Sequence, residues 1–145
     1  LKFDDKDLNL ISDIINVFDQ ITGVDDITGK IFRLYNAAFR RFPDSDGLNY
    51  WITKNKSGEN TYRQTCQSFI ISNEFQETYG SSITNEEYLN TLYSNILNRS
   101  ADSNGFNYWL GNLKNGIEDR SEVLMGFSES VENKALFMET TGLTL

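Results

Sequence analysis

The amino-acid sequence predicts an all-α fold, a compact helical bundle of about eight or nine helices. Three observations carry that expectation. Apolar residues recur at three- and four-residue spacing, with little of the alternation that marks strands. Proline occurs once, at Pro43, so almost no position forbids a helix. Capping signatures, a hydroxyl or carboxylate followed three residues later by Glu or Gln, stand ahead of several apolar runs.

Leu8, Ile11, Ile14, Ile15 and Phe18 predict a first helix over about residues 7–20. Asp4, Asp5 and Asp7 fall at its N-terminus, where the helix dipole favours negative charge, and Gly23 fits its exit. A second helix is expected over about 28–41, with Ile31, Leu34, Tyr35, Ala38 and Phe39 as its stripe. Arg40 and Arg41 then occupy its last turn and Pro43 closes it. Asp44 or Ser45 caps a third helix carrying Leu48, Trp51 and Ile52. Thr61 with Gln64 opens a fourth, with Tyr62, Cys66, Phe69 and Ile70, and Ser72 caps a short fifth that Gly80 stops. Thr84 with Glu87 opens the next, bearing Tyr88, Leu89, Leu92, Tyr93, Ile96 and Leu97. Asp102 leads into Phe106, Trp109, Leu110 and Leu113. Asp119 with Glu122 precedes Val123, Leu124 and Phe127, and Ser130 caps a last helix with Leu136, Phe137 and Met138.

The series repeats. Residues 34–75 laid on 92–133, at an offset of 58 and without gaps, share 14 of 42 positions, where ordinary residue frequencies give roughly two or three. The longest matched stretch is Asp-Ser-Asp-Gly-Leu-Asn-Tyr-Trp at 44–51 against Asp-Ser-Asn-Gly-Phe-Asn-Tyr-Trp at 102–109. The chain is therefore read as one domain, 1–145, with an N-terminal helical extension at 1–26. A first repeat unit follows at 27–80 and a second at 81–145, packed about a pseudo-twofold axis.

Composition narrows the chemistry. Histidine is absent, which removes the usual general base, the commonest zinc ligand and every Ser-His-Asp or Cys-His arrangement. The single cysteine, Cys66, cannot form an internal disulfide and aligns with Leu124, so a buried, inert thiol is expected. With 13 Lys+Arg against 21 Asp+Glu the net charge is −8, which disfavours nucleic acid and anionic membranes as partners. No run is long and apolar enough for membrane insertion. An opening at Leu1 fits a segment of a longer protein, and no enzyme activity is expected.

The duplicated loops are the one candidate site with internal support. Asp44, Asp46, Asp102 and Asn104 stand ahead of Gly47 and Gly105, a pattern with part of a calcium loop in it. An EF-hand fails, because Phe42 or Ser100 falls at the first loop position and Thr53 or Gly111 at the last. Helix capping by the Asp, with the glycine permitting a close approach, is the favoured reading; calcium is the one cofactor the loops suggest. Arg41 and Arg99 are expected to pair with Asp44 or Asp102, or with Glu74 or Glu132, as structural ion pairs. Trp51 and Trp109 are assigned to the core. Tyr50 and Tyr108 fall one step off the apolar stripe, where an exposed Asn-Tyr pair could stack on a sugar.

The pattern carried by Leu34, Tyr35, Arg41, Asp44, Gly47, Tyr50, Trp51, Gly58, Phe69, Ser72 and Glu74, and by their partners 58 residues on, resembles the bacterial repeat family catalogued as domain of unknown function 4214. The resemblance covers residues 31–138 as two tandem copies. Arg40-Arg41 and Asn98-Arg99 stand where the family often has Gly-Arg. The resemblance implies an all-helical module inside large secreted or cell-surface bacterial proteins, with a looser likeness to phycobilisome linker domains. It implies no catalytic residue. The function expected on this basis is a non-catalytic interaction or spacer module with a protein or glycan partner. The alternative is a small carbohydrate- or calcium-binding module using the duplicated loops.

Overall fold

Each capping signal read from the sequence starts a helix. The structure, a computed structural model, describes residues 5–145, with side chains from Asn9 onward. Among these residues the elements are α1 (Asp5–Asp19), α2 (Ile27–Phe39), α3 (Ser45–Lys56), α4 (Tyr62–Ile70), α5 (Asn73–Tyr79), α6 (Asn85–Leu97), α7 (Ser103–Lys114), α8 (Arg120–Ser128) and α9 (Val131–Thr141), and no strand is present. The expected dipole contacts of Asp4, Asp5 and Asp7 and the stripe position Leu8 lie outside the described side chains. Thr61 with Gln64, Thr84 with Glu87 and Asp119 with Glu122 all form reciprocal capping boxes. Asp44, Asp102, Ser72 and Ser130 cap their helices through single side-chain acceptors. No described helix is long and apolar enough to cross a membrane.

The boundaries of α2, α3 and α4 recur 58 residues on in α6, α7 and α8, and α5 and α9 start at the same offset. Packing within each set of four helices repeats as well. α2 meets α3, α4 and α5 as α6 meets α7, α8 and α9. Between the sets the packing is asymmetric: α2 lies against α8, without a comparable contact of α6 on α4. The side chains account for this. Phe32 and Arg33 are buried on α2, whereas the positions 58 residues on, Asn90 and Thr91, are exposed and half-buried. α2 is covered on nearly all sides, and α6 leaves a polar flank to water.

Two apolar clusters result. One joins Leu34, Tyr35 and Phe39 of α2 to Cys66, Phe69, Leu92, Tyr93, Leu124 and Phe127. The other joins Ile31 and Phe32 to Val17, Ile21, Leu48, Ile52 and Phe137. Trp51 and Tyr62 pack against both. Gly29 lets the segment before α2 lie directly on the helix, since a Cβ there would meet the carbonyl oxygens of Gly23 and Val24.

Four expectations need correction. The described part of the α1 stripe is not core: Ile11, Ile14 and Ile15 are exposed, because α1 rests on α3 through Val17 and its neighbours, and among the described stripe residues only Phe18 turns inward. α2 ends at Phe39, so Arg40 and Arg41 lie beyond its last turn and Pro43 is not its stop. Arg40 is the C-cap, in the left-handed region at φ 56°, and Asn98 does the same for α6 at φ 53°. Trp51 and Trp109 are half-buried, the indoles lying over the core, not inside it. Finally, Phe106, Leu110 and Leu113 of α7 are only half-buried, since among the described residues no helix covers α7 as α1 covers α3.

Candidate functional site

Most of the motif residues shared by the two halves converge on one another. Arg41 donates to both carboxylate oxygens of Glu74, from Nε at 2.6 Å and Nη2 at 3.0 Å. Its Nη1 donates to the carbonyl oxygen of Phe42 at 3.1 Å. Arg99 repeats the arrangement, with Nε to Glu132 at 2.9 Å, Nη2 to Glu132 at 3.1 Å and Nη1 to the carbonyl of Ser100 at 3.0 Å. Each guanidinium lies 5.1 Å from a ring centroid, Tyr35 under Arg41 and Tyr93 under Arg99. Hydrogen bonding to Glu74 and to Glu132 raises each arginine above its ordinary pKa. These forks tie the turn after α2 to the start of α5, and the turn after α6 to the start of α9. Of the two partners the sequence left open, Arg41 takes Glu74. Arg99 takes Glu132 and adds Asp102 at 3.2 Å.

Asp44 accepts from the Gly47 N–H at 3.0 Å, and Asp102 from the Gly105 N–H at 2.8 Å. That bond, followed by the Arg99 contact, holds the Asp102 carboxyl below its usual range. The glycines have a steric reason. A Cβ on Gly105 would come within 2.6 Å of the Tyr93 hydroxyl, and one on Gly47 within 3.1 Å of the Tyr35 hydroxyl. Trp51 meets Phe69 edge-on at 5.1 Å, and Trp109 lies against Phe127 at 5.3 Å. Ser72 and Ser130 start the helices that carry Glu74 and Glu132. The recurring motif thus describes one internal joint per half.

Asp46 and Asn104 are exposed on the first turn of their helices. Among the described residues no three Asp, Glu or Cys side chains are grouped to hold a metal ion. Tyr50 and Tyr108 lie outside the joint, 52% and 61% exposed, each edge-on to the neighbouring indole. Cys66 is fully buried, its Sγ–H donating to the Ser121 carbonyl at 3.1 Å, and burial, then the charge of Asp119, pushes the thiol up to about 12.

Sequence reasoning missed the most buried charge. Arg33 donates from Nη2 to Glu129 at 2.8 Å, from Nε to the same carboxylate at 3.3 Å, and from Nη1 to the Val24 carbonyl at 2.6 Å. The Tyr62 hydroxyl adds a donor to Glu129 at 3.2 Å. The available signal was an arginine inside the apolar run Ile31-Phe32-Arg33-Leu34-Tyr35, which could only be buried if paired. Neither Arg33 nor Glu129 belongs to the shared motif.

Residues 66–137 match the family model Domain of unknown function (DUF4214). The match runs from within α4 to within α9 and takes in Arg99, Asp102, Gly105, Trp109, Phe127 and Glu132, the whole joint of the second half. It supports the DUF4214 family for just under half of the chain as a single stretch, so the resemblance expected over 31–138 is matched only in part. No curated protein and no solved structure matches.

Proposed function

We propose that this chain is a non-catalytic interaction or spacer module of a larger bacterial secreted or cell-surface protein, built from two copies of one four-helix unit with α1 added. One observation carries the reading: the recurring residues that make contacts between helices are spent on internal joints, with Tyr50 and Tyr108 outside them. Arg41, Glu74, Asp44, Gly47 and Trp51, like Arg99, Glu132, Asp102, Gly105 and Trp109, hold helices together. A unit whose recurring contacts serve mainly its own packing leaves the surface that differs between its two halves free for a partner. The setting in a secreted or surface protein follows from the family resemblance. The reading is tested in the parent protein by replacing residues 1–145 with a flexible linker of matched reach. A spacer tolerates the exchange, an interaction module loses its partner, and loss of a chemical conversion mapped to this segment would sink both.

A second reading rests on the two half-exposed tyrosines. Tyr50 and Tyr108 are exposed beside indoles, and the Lys54 ammonium lies 5.4 Å from the Tyr50 centroid, so Tyr108 is the freer of the two for stacking on a sugar. A glycan array with Tyr50→Ala and Tyr108→Ala decides it: binding that both changes leave intact removes these residues. In this reading calcium binding by Asp44, Asp46, Asp102 and Asn104 lacks a converging set of acids, since Asp44 and Asp102 each give an oxygen to a backbone N–H.

A further inference from the structure

Two positions differ between the joints, Leu97 for Phe39 and Gly126 for Ser68, and the first difference leaves a hole. In the first half Phe39 lies between the rings of Tyr35, at 5.0 Å, and Phe69, at 4.9 Å, with the Arg41 guanidinium 5.8 Å from its centroid. Fifty-eight residues on stands Leu97, which lacks the outer part of a phenyl ring, while Tyr93, Arg99, Trp109, Phe127 and Glu132 keep the residue types of Tyr35, Arg41, Trp51, Phe69 and Glu74. Tyr93 meets Phe127 edge-on at 4.9 Å as Tyr35 meets Phe69 at 5.2 Å. A pocket of about 150 Å³ opens here, walled by Tyr93, Leu97, Trp109 and Phe127, with the Arg99–Glu132 pair at its rim. Gly126 forms part of the wall, and a side chain there would strike the Trp109 ring within 2.6 Å.

We propose that this pocket binds a single aromatic ring, the side chain of a phenylalanine or tyrosine on a partner polypeptide. The chain itself indicates the occupant, since Phe39 fills the counterpart space between Tyr35 and Phe69. The volume agrees, because an apolar cavity of about 150 Å³ holds one benzene-sized ring. The electrostatics agree too. A ring entering beside Tyr93 comes under the Arg99 guanidinium as Phe39 comes under Arg41, gaining the same attraction to its π face. One aromatic anchor in a preformed pocket is the usual centre of a protein interface. The proposal rests on the interaction-module reading and names the chemistry its partner must present.

The test titrates the folded chain with N-acetyl-phenylalanine amide and N-acetyl-tyrosine amide, with N-acetyl-leucine amide as control. The Trp109 indole N–H and Leu97 methyl resonances report occupancy. Saturable shifts with the aromatic amides are expected, at least tenfold weaker with the leucine amide. Leu97→Phe fills the pocket and is expected to weaken binding at least tenfold. Phe39→Leu opens the counterpart and is expected to raise the bound equivalents from one to two, which keeps the test decisive should Leu97→Phe fail to fold. No saturable shift, an equal response to the leucine amide, or unchanged affinity and stoichiometry in the two variants would overturn the proposal. Such a result would leave the linker-exchange experiment, and the interaction-module reading with it, to stand or fall separately.

Discussion

The guanidinium of Arg33 forks the carboxylate of Glu129, 96 residues away in the chain. The arginine side chain is 1% exposed and the glutamate 22%, whereas Arg41 and Glu74 are 44% and 41% exposed. Depth decides what each pair is worth. An exposed pair contributes at most about 1 kcal/mol, while removing one member of a buried pair strands a charge at a cost of about 3 kcal/mol. Glu129→Ala is therefore expected to destabilise by about 3 kcal/mol, and Glu74→Ala by less than about 1 kcal/mol, in urea unfolding. The double change Arg33→Met with Glu129→Leu removes both charges and should cost less than Glu129→Ala alone. A double variant as unstable as the sum of its parts would contradict this account.

Arg40 is held in the left-handed region at φ 56°, a conformation costing a side-chain-bearing residue about 1 kcal/mol. Its counterpart Asn98 adopts the same conformation with a residue type suited to it. Arg40→Gly is expected to stabilise the fold by roughly 0.5–1 kcal/mol, read as a higher urea midpoint at unchanged slope. A lower midpoint would mean that Arg40 makes a contact outweighing its strain.

Asp44 and Asp102 each satisfy one orphan N–H at a helix start. Alanine at either position is expected to cost about 1 kcal/mol, and asparagine nearly nothing, since an amide oxygen accepts the same bond. Thermal midpoints of the parent and of both alanine variants should be unmoved by millimolar calcium. A rise confined to the parent would restore the calcium reading, because a ligand specific for the native state must raise the midpoint.

Those caps show why so much of the fold was legible in the sequence. A capping box is local: Thr61, Thr84 and Asp119 each need only the residue three positions on, and all three boxes form as read. Burial is not local. The spacing of Ile11, Ile14 and Ile15 says that α1 has an apolar stripe, but not that α1 would meet α3 through Val17 instead. The end of α2 was misplaced because Arg40 takes a conformation usual for Gly or Asn, which its identity conceals. At the site, the duplication singled out Arg41, Glu74, Arg99 and Glu132, since both halves needed them. It was blind to Arg33 and Glu129, which occur once and join what the halves do not share.

Asp26 and Asp119 give the stability an acid edge. Burial works against each charge, but hydrogen bonds outweigh it. Thr22, Thr28 and Gly29 donate to Asp26, and Ser121 and the Glu122 N–H to Asp119, holding both carboxyls below the ordinary range. An unfolded aspartate titrates near about 3.9. A folded pKa below that value contributes stability that is complete above it and is lost as the pH falls through the folded pKa. Urea midpoints should be flat from pH 7 to about pH 5 and fall below about pH 4. Asp119→Asn keeps a capping oxygen without a titrating group, so its midpoint should fall less steeply. A variant tracking the parent down to pH 2 would assign the acid edge to other carboxyls.

Cys66 turns burial into a chemical readout. The thiolate is the reacting species, and an exposed cysteine ionises near about 8.5. In the folded chain burial raises the thiol to about 12, and the neutral S–H is further held by the Ser121 carbonyl. The thiolate population at pH 8 therefore drops by roughly a thousandfold, before any restriction on reagent access. Iodoacetamide is expected to label Cys66 at least about a thousandfold more slowly in the native protein than in urea. Its rate should rise only with the unfolded fraction, and Glu129→Ala should accelerate labelling roughly tenfold for every 1.4 kcal/mol of stability it loses. Labelling at the unfolded rate under native conditions would contradict the closed α4–α8 contact that buries this thiol.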